Sequence, residues 1–324
     1  MNILVCGGAG YIGAHMCKML VEAGHAVTVF DNLSTGHREA VRWGNLVVGD
    51  LLIPEDLART FSGAAFDAVM HFSAKSLVGE SMGRPDLYYR NNVIGTMNLL
   101  DAMVVHGVAT FIFSSTAAVF GMPEYTPIDE AHPQRPINPY GQSKLMVEHM
   151  LADYDRAFGI RSVCLRYFNA AGADASGAIG ESHDPETHLI PNVLRSVLNP
   201  TANALKVFGS DYPTPDGTCV RDYIHVTDLC DAHLRALDHL KRGGKSDIFN
   251  LGNGTGFSVL DVIRTAEAVT TKKIGYEVVD RRPGDPPVLV ASSAKATQTL
   301  GWKPRHAALS EIIESAWRWH RSSH

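Results

Sequence analysis

A strand, a glycine turn, a helix and a second strand occupy the first 31 residues, and no other feature restricts the fold as strongly. Asn2 to Cys6 is a short apolar run that leads into Gly7-x-x-Gly10-x-x-Gly13. Ile12, Met16, Met19, Leu20 and Ala23 then recur at helical spacing, and the pattern stops at Gly24. Ala26 to Phe30 is apolar and β-branched, a second buried strand. This is the unit from which parallel sheets are built. Glycine suits the turn because the backbone must bend tightly, touch a pyrophosphate and pack against a strand. The helix start then offers N–H groups and a positive dipole end to the phosphates. Asp31 ends the second strand 18 residues after Gly13, where a carboxylate takes the adenosine ribose hydroxyls and repels a 2′-phosphate. The expected ligand is a dinucleotide, NAD in preference to NADP. Arg38 keeps NADP open, and a turn role is the alternative for Asp31.

Further strands are expected at Leu46–Val48, Asp67–Phe72, Thr110–Ser114 and Ser162–Tyr167, with helices at about 88–106 and 140–158 between them. Apolar strands bounded by helices predict an α/β fold, a doubly wound parallel Rossmann sheet covered on both faces. After about Phe168 the texture changes. Residues 170–220 are rich in Gly, Pro, Asp and Asn, with short apolar pieces such as Leu205–Phe208, and read as a less regular region over the end of the sheet. A helix is expected at Thr227–Leu240 with Thr227 as its cap, then a strand at Asp247–Leu251. Ser258–Val269, Ser292–Leu300 and Leu309–Trp319 read as helices. The expected division is a dinucleotide-binding domain over 1–170, with about 226–252 packing back onto it, and a smaller mixed α/β lobe over 171–324.

Composition removes several classes of partner. The formal charge is −5, from 29 Lys+Arg against 34 Asp+Glu, so nucleic acid meets no basic surface. Mean hydropathy is −0.04, and no apolar run reaches the ~18 residues that a membrane span needs. The chain enters a strand pattern without a basic leader, so no secretory signal is expected. Cys6, Cys17, Cys164, Cys219 and Cys230 are scattered and include no C-x-x-C pair. They fit buried hydrophobes in a reducing cytoplasm better than disulfides or zinc ligands. Glu181, His183, Asp184, Glu186 and His188 raise a metal question. Gly180 and Pro185 make that segment a loop and not a helix face presenting ligands, so no metal site is expected.

Strand Phe111–Phe113 runs into Ser114-Ser115-Thr116, so hydroxyls are expected at the carboxyl edge of the sheet, where open α/β folds bind ligands. Pro139-Tyr140-Gly141-Gln142-Ser143-Lys144 follows. With Pro139 at a helix start, Tyr140 and Lys144 lie four apart on one face. A free phenol titrates near ~10. A neighbouring ammonium and a nicotinamide cation would favour the phenolate. Lowering the value by ~3 units needs about 4 kcal/mol of differential stabilisation.

Gly7–Gly13, Ser114–Thr116 and Tyr140–Lys144 together resemble the extended short-chain dehydrogenase/reductase family. Longer strings narrow the resemblance to its sugar-nucleotide 4-epimerases, from about residue 1 to 320. Among them are Val78-Gly79-Glu80-Ser81, Leu165-Arg166-Tyr167-Phe168-Asn169 and Val220-Arg221-Asp222-Tyr223-Ile224-His225. The resemblance implies tightly held NAD, a UDP-sugar substrate and a homodimer packed through the helices at about 91–106 and 140–158. It implies epimerisation of a UDP-hexose, the glucose/galactose pair, by transient oxidation at C4. Tyr140 takes the 4-hydroxyl proton as hydride passes to the nicotinamide, the 4-keto sugar turns about its diphosphate link, and the hydride returns to the other face. Lys144 holds the cofactor ribose and tunes Tyr140, and Thr116 matches the serine that bonds the 4-oxygen.

Other residues carry over by position. Tyr11 and Ile12 match backbone contacts to the pyrophosphate, and Asn32 adjoins the ribose carboxylate. Asp50 and Leu51 match the adenine pocket, and Phe72 and Ser73 flank the cofactor. Asn91 matches a phosphate contact, and Phe168 lies by the nicotinamide. Asn169, His188, Phe208, Arg221, Arg282 and Asp285 match the substrate-nucleotide pocket, and Leu289 the position that gates the sugar 2-substituent. Ser76, with Lys75 one residue earlier, departs from a lysine common beside the cofactor phosphates, and His188 stands where some relatives have Asn. A 4,6-dehydratase would carry acids after the strand-end hydroxyl, where this chain has Ala117 and Ala118. A non-catalytic NAD-sensing regulator would tolerate loss of the Tyr–Lys pair, which is present. Epimerisation of a UDP-N-acetylhexosamine, UDP-pentose or UDP-uronate stays open.

Overall fold

The computed structural model describes residues 1–199, 205–282 and 284–323. Strands β1 (Asn2–Cys6), β2 (Ala26–Asp31), β3 (Asn45–Val48), β4 (Ala68–His71), β5 (Thr110–Thr116) and β6 (Arg161–Tyr167) come first. β7 (Asn169–Ala171), β8 (Leu205–Phe208) and β9 (Val220–His225) precede β10 (Asp247–Leu251). β11 (Gly256–Ser258), β12 (Tyr276–Val279) and β13 (Val288–Leu289) follow it. One parallel sheet has the order β3-β2-β1-β4-β5-β6-β10. The order reverses between β1 and β4, and such a switch opens a crevice at the carboxyl ends of the strands.

The sheet is buried on both faces because its strands are largely apolar and side chains alternate between faces. Ile3 and Val5 join one core with Met16, Leu20, Leu229 and Leu237, under the helices Tyr11–Glu22 and Val226–Lys241. Leu4 and Cys6 join the other with Leu99, Phe111 and Leu151, under Gly95–His106 and Pro139–Phe158. All five cysteines are buried and free, as their scatter predicts. Among the described residues, no helix is long and apolar enough to cross a membrane.

The expected helix at about 88–106 is interrupted. A helix at Pro85–Tyr88 gives way to a π-helical stretch, Tyr89–Ile94, before Gly95–His106 resumes. The buried Asn92 explains the widening. Its Oδ1 accepts from the Lys75 N–H at 2.8 Å, and its Nδ2 donates to the Lys75 carbonyl and Ser143 Oγ at 2.9 and 3.0 Å. Turning that amide inward outweighs α-helical regularity. Thr227 is not a cap. His225 is, its Nδ1 accepting from the Thr227 N–H at 3.1 Å, and the helix begins at Val226.

The region over 170–220 is more ordered than its composition predicts. It contains the helix Leu189–Leu198 and contributes to two small sheets. One has β9 between β11 and β13, with β7 also on β9; the other pairs β8 with β12. Val193, Val207, Tyr223, Ile263 and Ile312 form their shared core, separate from the two layers of the large sheet.

Candidate active site

The glycine turn stands at the carboxyl end of the central strand. Gly7 has φ +80°, and a Cβ there would lie 2.5 Å from the Ser73 nitrogen. A Cβ on Gly13 would strike the Gly7 carbonyl, so the helix packs directly on the turn. The helix Tyr11–Glu22 starts after Gly10 with no side-chain cap, leaving its first N–H groups, at Tyr11, Ile12 and Gly13, to face an anion. Phe72 and Ser73 close the other side, their N–H groups donating to the Cys6 carbonyl at 2.8 and 3.2 Å. The Phe72 ring lies 4.9 Å from that of His233. A bare backbone cradle at an uncapped helix start fits a dinucleotide pyrophosphate.

Asp31 is buried at the end of β2. Its Oδ2 accepts from the Ala9 N–H at 3.0 Å and its Oδ1 from the Leu33 N–H at 2.8 Å. The carboxylate therefore braces the glycine turn. Asn32 Nδ2 donates to Asp50 Oδ2 at 2.9 Å, and the Asp50 Oδ1 accepts from the Leu52 N–H at 2.9 Å. Leu51 is buried beside them, its carbonyl accepting from Asn98 at 2.9 Å. Asn91 lies in the π-helical stretch and donates to Asn92 Oδ1 at 2.9 Å. Asp31→Ala is expected to weaken NAD binding and narrow the preference against NADP. Protein purified with as much NAD as the wild type would remove Asp31 from the site.

At the end of β5 the three hydroxyls divide. Ser114 Oγ bonds to the Tyr167 hydroxyl, and Ser115 Oγ donates to Glu148 Oε1 at 2.5 Å. The third, Thr116, acts on Tyr140. Its hydroxyl favours the ionised form of the Tyr140 phenol, and its Oγ1 accepts from the Ala118 N–H at 3.1 Å. The helix Pro139–Phe158 presents Tyr140 because Asn138 caps it, accepting from the Gly141 N–H at 2.8 Å. Gly141 is required there: a Cβ would strike the Ala118 carbonyl.

The charge pattern differs from the expected one. Burial pushes the Tyr140 phenol up, and only the Thr116 hydrogen bond pulls it back. The Lys144 ammonium is turned to the Ser114 carbonyl at 2.8 Å and lies 4.7 Å from the centre of the Phe113 ring. Burial lowers Lys144 to about 7, against the pull of the Glu148 carboxylate. Lys144 thus does not by itself lower Tyr140.

In the lobe, neighbouring strands gather the remaining positions. Asn169 in β7 and Leu289 in β13 are both in register with β9, Leu289 directly beside Arg221. Arg221 is paired with Asp285 at 2.5 Å. The Arg282 guanidinium lies 3.9 Å over the Phe208 ring, and the Asp285 N–H donates to the Arg282 carbonyl at 3.3 Å. Phe168 and Leu289 both pack on a small cluster that includes Ala117, one residue after Thr116. The lobe is thereby joined to the end of β5. Tyr11 adds a second tie, its hydroxyl donating to the Gly172 carbonyl at 2.7 Å.

The segment over 181–188 is irregular, as expected of a loop, yet it folds so that Glu181, His183, Glu186 and His188 converge without a helix face to present them. Asp184 is not in the group. His188 Nδ1 lies 3.0 Å from Glu181 and 2.9 Å from Glu186. Burial opposes charge on both rings, but the carboxylates outweigh it, pushing His183 up to about 9 and His188 up to about 10.

One pair escaped the sequence reading. Arg166 and Glu148 are almost completely buried and face each other, Arg166 Nε donating to Glu148 Oε1 at 2.9 Å and Nη2 to Oε2 at 2.5 Å. Their signals were present: an arginine inside an apolar strand, and a carboxylate one helical turn beyond Lys144.

Residues 3–252 match the NAD dependent epimerase/dehydratase family. The chain is 51% identical over 322 residues to a UDP-glucose 4-epimerase of Rhizobium leguminosarum bv. trifolii, covering 99% of this chain and 98% of that protein. It superposes on a UDP-glucose 4-epimerase from Brucella ovis in complex with NAD at TM-score 0.95 and 50% identity, covering 98% and 97% of the two chains. For the UDP-glucose 4-epimerase from Bifidobacterium longum in complex with NAD+ and UDP, the TM-score is 0.94 at 37% identity, covering 99% and 98%. With its glycine cradle, its Thr116–Tyr140 contact and this full-length similarity, the chain belongs to the NAD dependent epimerase/dehydratase family.

Proposed function

We propose that this chain is an NAD-dependent UDP-glucose 4-epimerase that interconverts UDP-glucose and UDP-galactose. The observation that carries the reading is the Tyr140 phenol facing the Thr116 hydroxyl at the carboxyl edge of the sheet, together with the glycine cradle. Gly7, Gly10, Tyr11, Ile12 and Gly13 hold the cofactor pyrophosphate, Asp31 and Asn32 its adenosine ribose, and Asp50 and Leu51 its adenine. Phe72, Ser73, Asn91 and Phe168 line the rest of its path. Bound NAD supplies a reversible hydride acceptor for C4. Tyr140 takes the proton of the 4-hydroxyl and gives it back, while Thr116 holds the 4-oxygen and Lys144 the nicotinamide ribose. Burial favours the protonated Tyr140 phenol, and Thr116 works against it; a nicotinamide cation held beside the phenol would favour its ionised form further. Asn169, Phe208, Arg221, Arg282 and Asp285 bind the substrate nucleotide and leave the 4-keto sugar free to turn, whereas the His188 ring is taken up by Glu181 and Glu186.

The site offers no carboxylate after Thr116 for a dehydration, since Ala117 and Ala118 stand there. Incubation with UDP-glucose, UDP-galactose, UDP-N-acetylglucosamine and UDP-xylose, with products read by NMR, tests the proposal. C4 inversion of the hexoses is expected, and no inversion of either hexose would refute it. Leu289 sets the sugar preference by bulk, and overpacking typically costs ~1–3 kcal/mol. Leu289→Tyr is expected to suppress any N-acetylhexosamine reaction and spare the hexose one, and Leu289→Ala to raise it. An unchanged ratio of the two activities in both variants would move the gate elsewhere. The helices Gly95–His106 and Pro139–Phe158 expose Met97, Val104, Met146 and Phe158, which fits a homodimer through these faces.

A further inference from the structure

We infer that Glu181, His183, Glu186 and His188 form a four-ligand structural zinc site that pins the 181–188 loop. The four donor atoms lie within 4.8 Å of one another. The imidazole-to-carboxylate separations in the group are 3.4 and 3.0 Å from Glu181 Oε1 to His183 and His188, 3.5 Å from Glu186 Oε2 to His183 and 2.9 Å from Glu186 Oε1 to His188. A tetrahedral zinc ion with bonds of ~2.0–2.1 Å requires ligand–ligand edges of ~3.3–3.4 Å, so the cage is close to the size the ion needs.

Hydrogen bonding alone does not complete this cluster. Each Nδ1 carries at most one proton yet faces two carboxylates. His183 Nδ1 and Glu186 Oε2 are buried and have no hydrogen-bond partner. The Glu186 side chain is 1% exposed. Its Oε1 accepts from the Thr187 and His188 N–H groups, both at 2.9 Å, which fixes the carboxylate and aims Oε2 inward. A central cation would take both orphaned lone pairs. Two neutral imidazoles and two carboxylates supply a charge of −2, which a divalent ion cancels, with the Arg195 guanidinium farther out at 4.0 Å from Glu186 Oε2. Imidazole nitrogen with carboxylate oxygen at tetrahedral spacing favours zinc over magnesium or calcium, which require more oxygens.

The position gives the ion a structural task. His188 starts the helix Leu189–Leu198, and the Tyr11 ring meets the His183 ring edge-on at 6.3 Å. His37 and Trp319 reach the loop backbone at Ser182 and Glu181, both at 3.2 Å. The loop thus lies between the glycine-turn helix and the C-terminal helix, and four protein ligands leave the ion no open position.

The test uses the full-length, untagged protein. Elemental analysis after growth with zinc and exhaustive dialysis is expected to give about one zinc per chain. Stripping with a chelator is expected to lower the thermal midpoint, and added Zn2+, not Mg2+, to restore it. Glu186→Gln and His183→Gln are each expected to cut zinc content at least tenfold. Cobalt substitution of the wild type gives a reading that does not depend on the variants folding: an intense visible d–d spectrum marks a tetrahedral site. Dialysed wild-type protein without zinc, whose melting zinc does not change and whose cobalt form lacks that spectrum, would overturn the proposal and leave an imidazolium–carboxylate cluster.

Discussion

Tyr140→Phe is expected to lower turnover by roughly 10²-fold or more while NAD and the UDP-sugar still bind, because only the proton-transfer group is lost. The ring keeps its place in the substitution: Asn138 caps the helix and Gly141 seats it against Ala118, and neither contact uses the phenol. The Thr116 hydroxyl keeps its bond from the Ala118 N–H. Steady-state turnover with a galactose-to-glucose assay, and titration of UDP-sugar affinity on the same preparation, separate chemistry from binding. Near-normal turnover with tight UDP-sugar binding would remove Tyr140 from the mechanism.

Arg166→Met is expected to destabilise the fold by about 3–5 kcal/mol, the range for stranding one member of a buried ion pair. Glu148 would keep its charge beside Ser115 with nothing to replace the guanidinium. The pair lies under the end of β5, so the loss reaches Lys144, whose charge Glu148 supports. The double variant Arg166→Met/Glu148→Gln is expected to recover part of the loss, since the stranded charge is then gone. Urea unfolding of the three proteins measures both effects. A single-variant loss below about 1 kcal/mol would show that water or a rearranged partner replaces Arg166.

The large sheet was legible because its signals are local and repeated. The strands are built on short apolar runs, and the β-α-β spacing leaves few topologies. The glycine cradle and the Tyr140–Lys144 spacing belong to the same class: one turn of helix or loop contains the whole motif. The expected helix at about 88–106 failed where a distant partner decided the matter. Asn92 turns inward to Lys75 and Ser143, and nothing within the segment announces those contacts.

The sequence by itself determined the parallel fold, the nucleotide end of the site and the identity of the groups at the chemical end, because each is encoded by residues close together in the chain. The tertiary structure alone decided how those groups are charged and which of them meet. It turns the Lys144 ammonium to the Ser114 carbonyl, withdraws Ser114 and Ser115 from the site, and places Leu289 beside Arg221 through the register of two short strands. It also folds an irregular loop so that Glu181, His183, Glu186 and His188 point at one another. The physical reason is the same in each case. Burial and pairing depend on what the rest of the chain packs against a residue, and residue type and spacing do not carry that information.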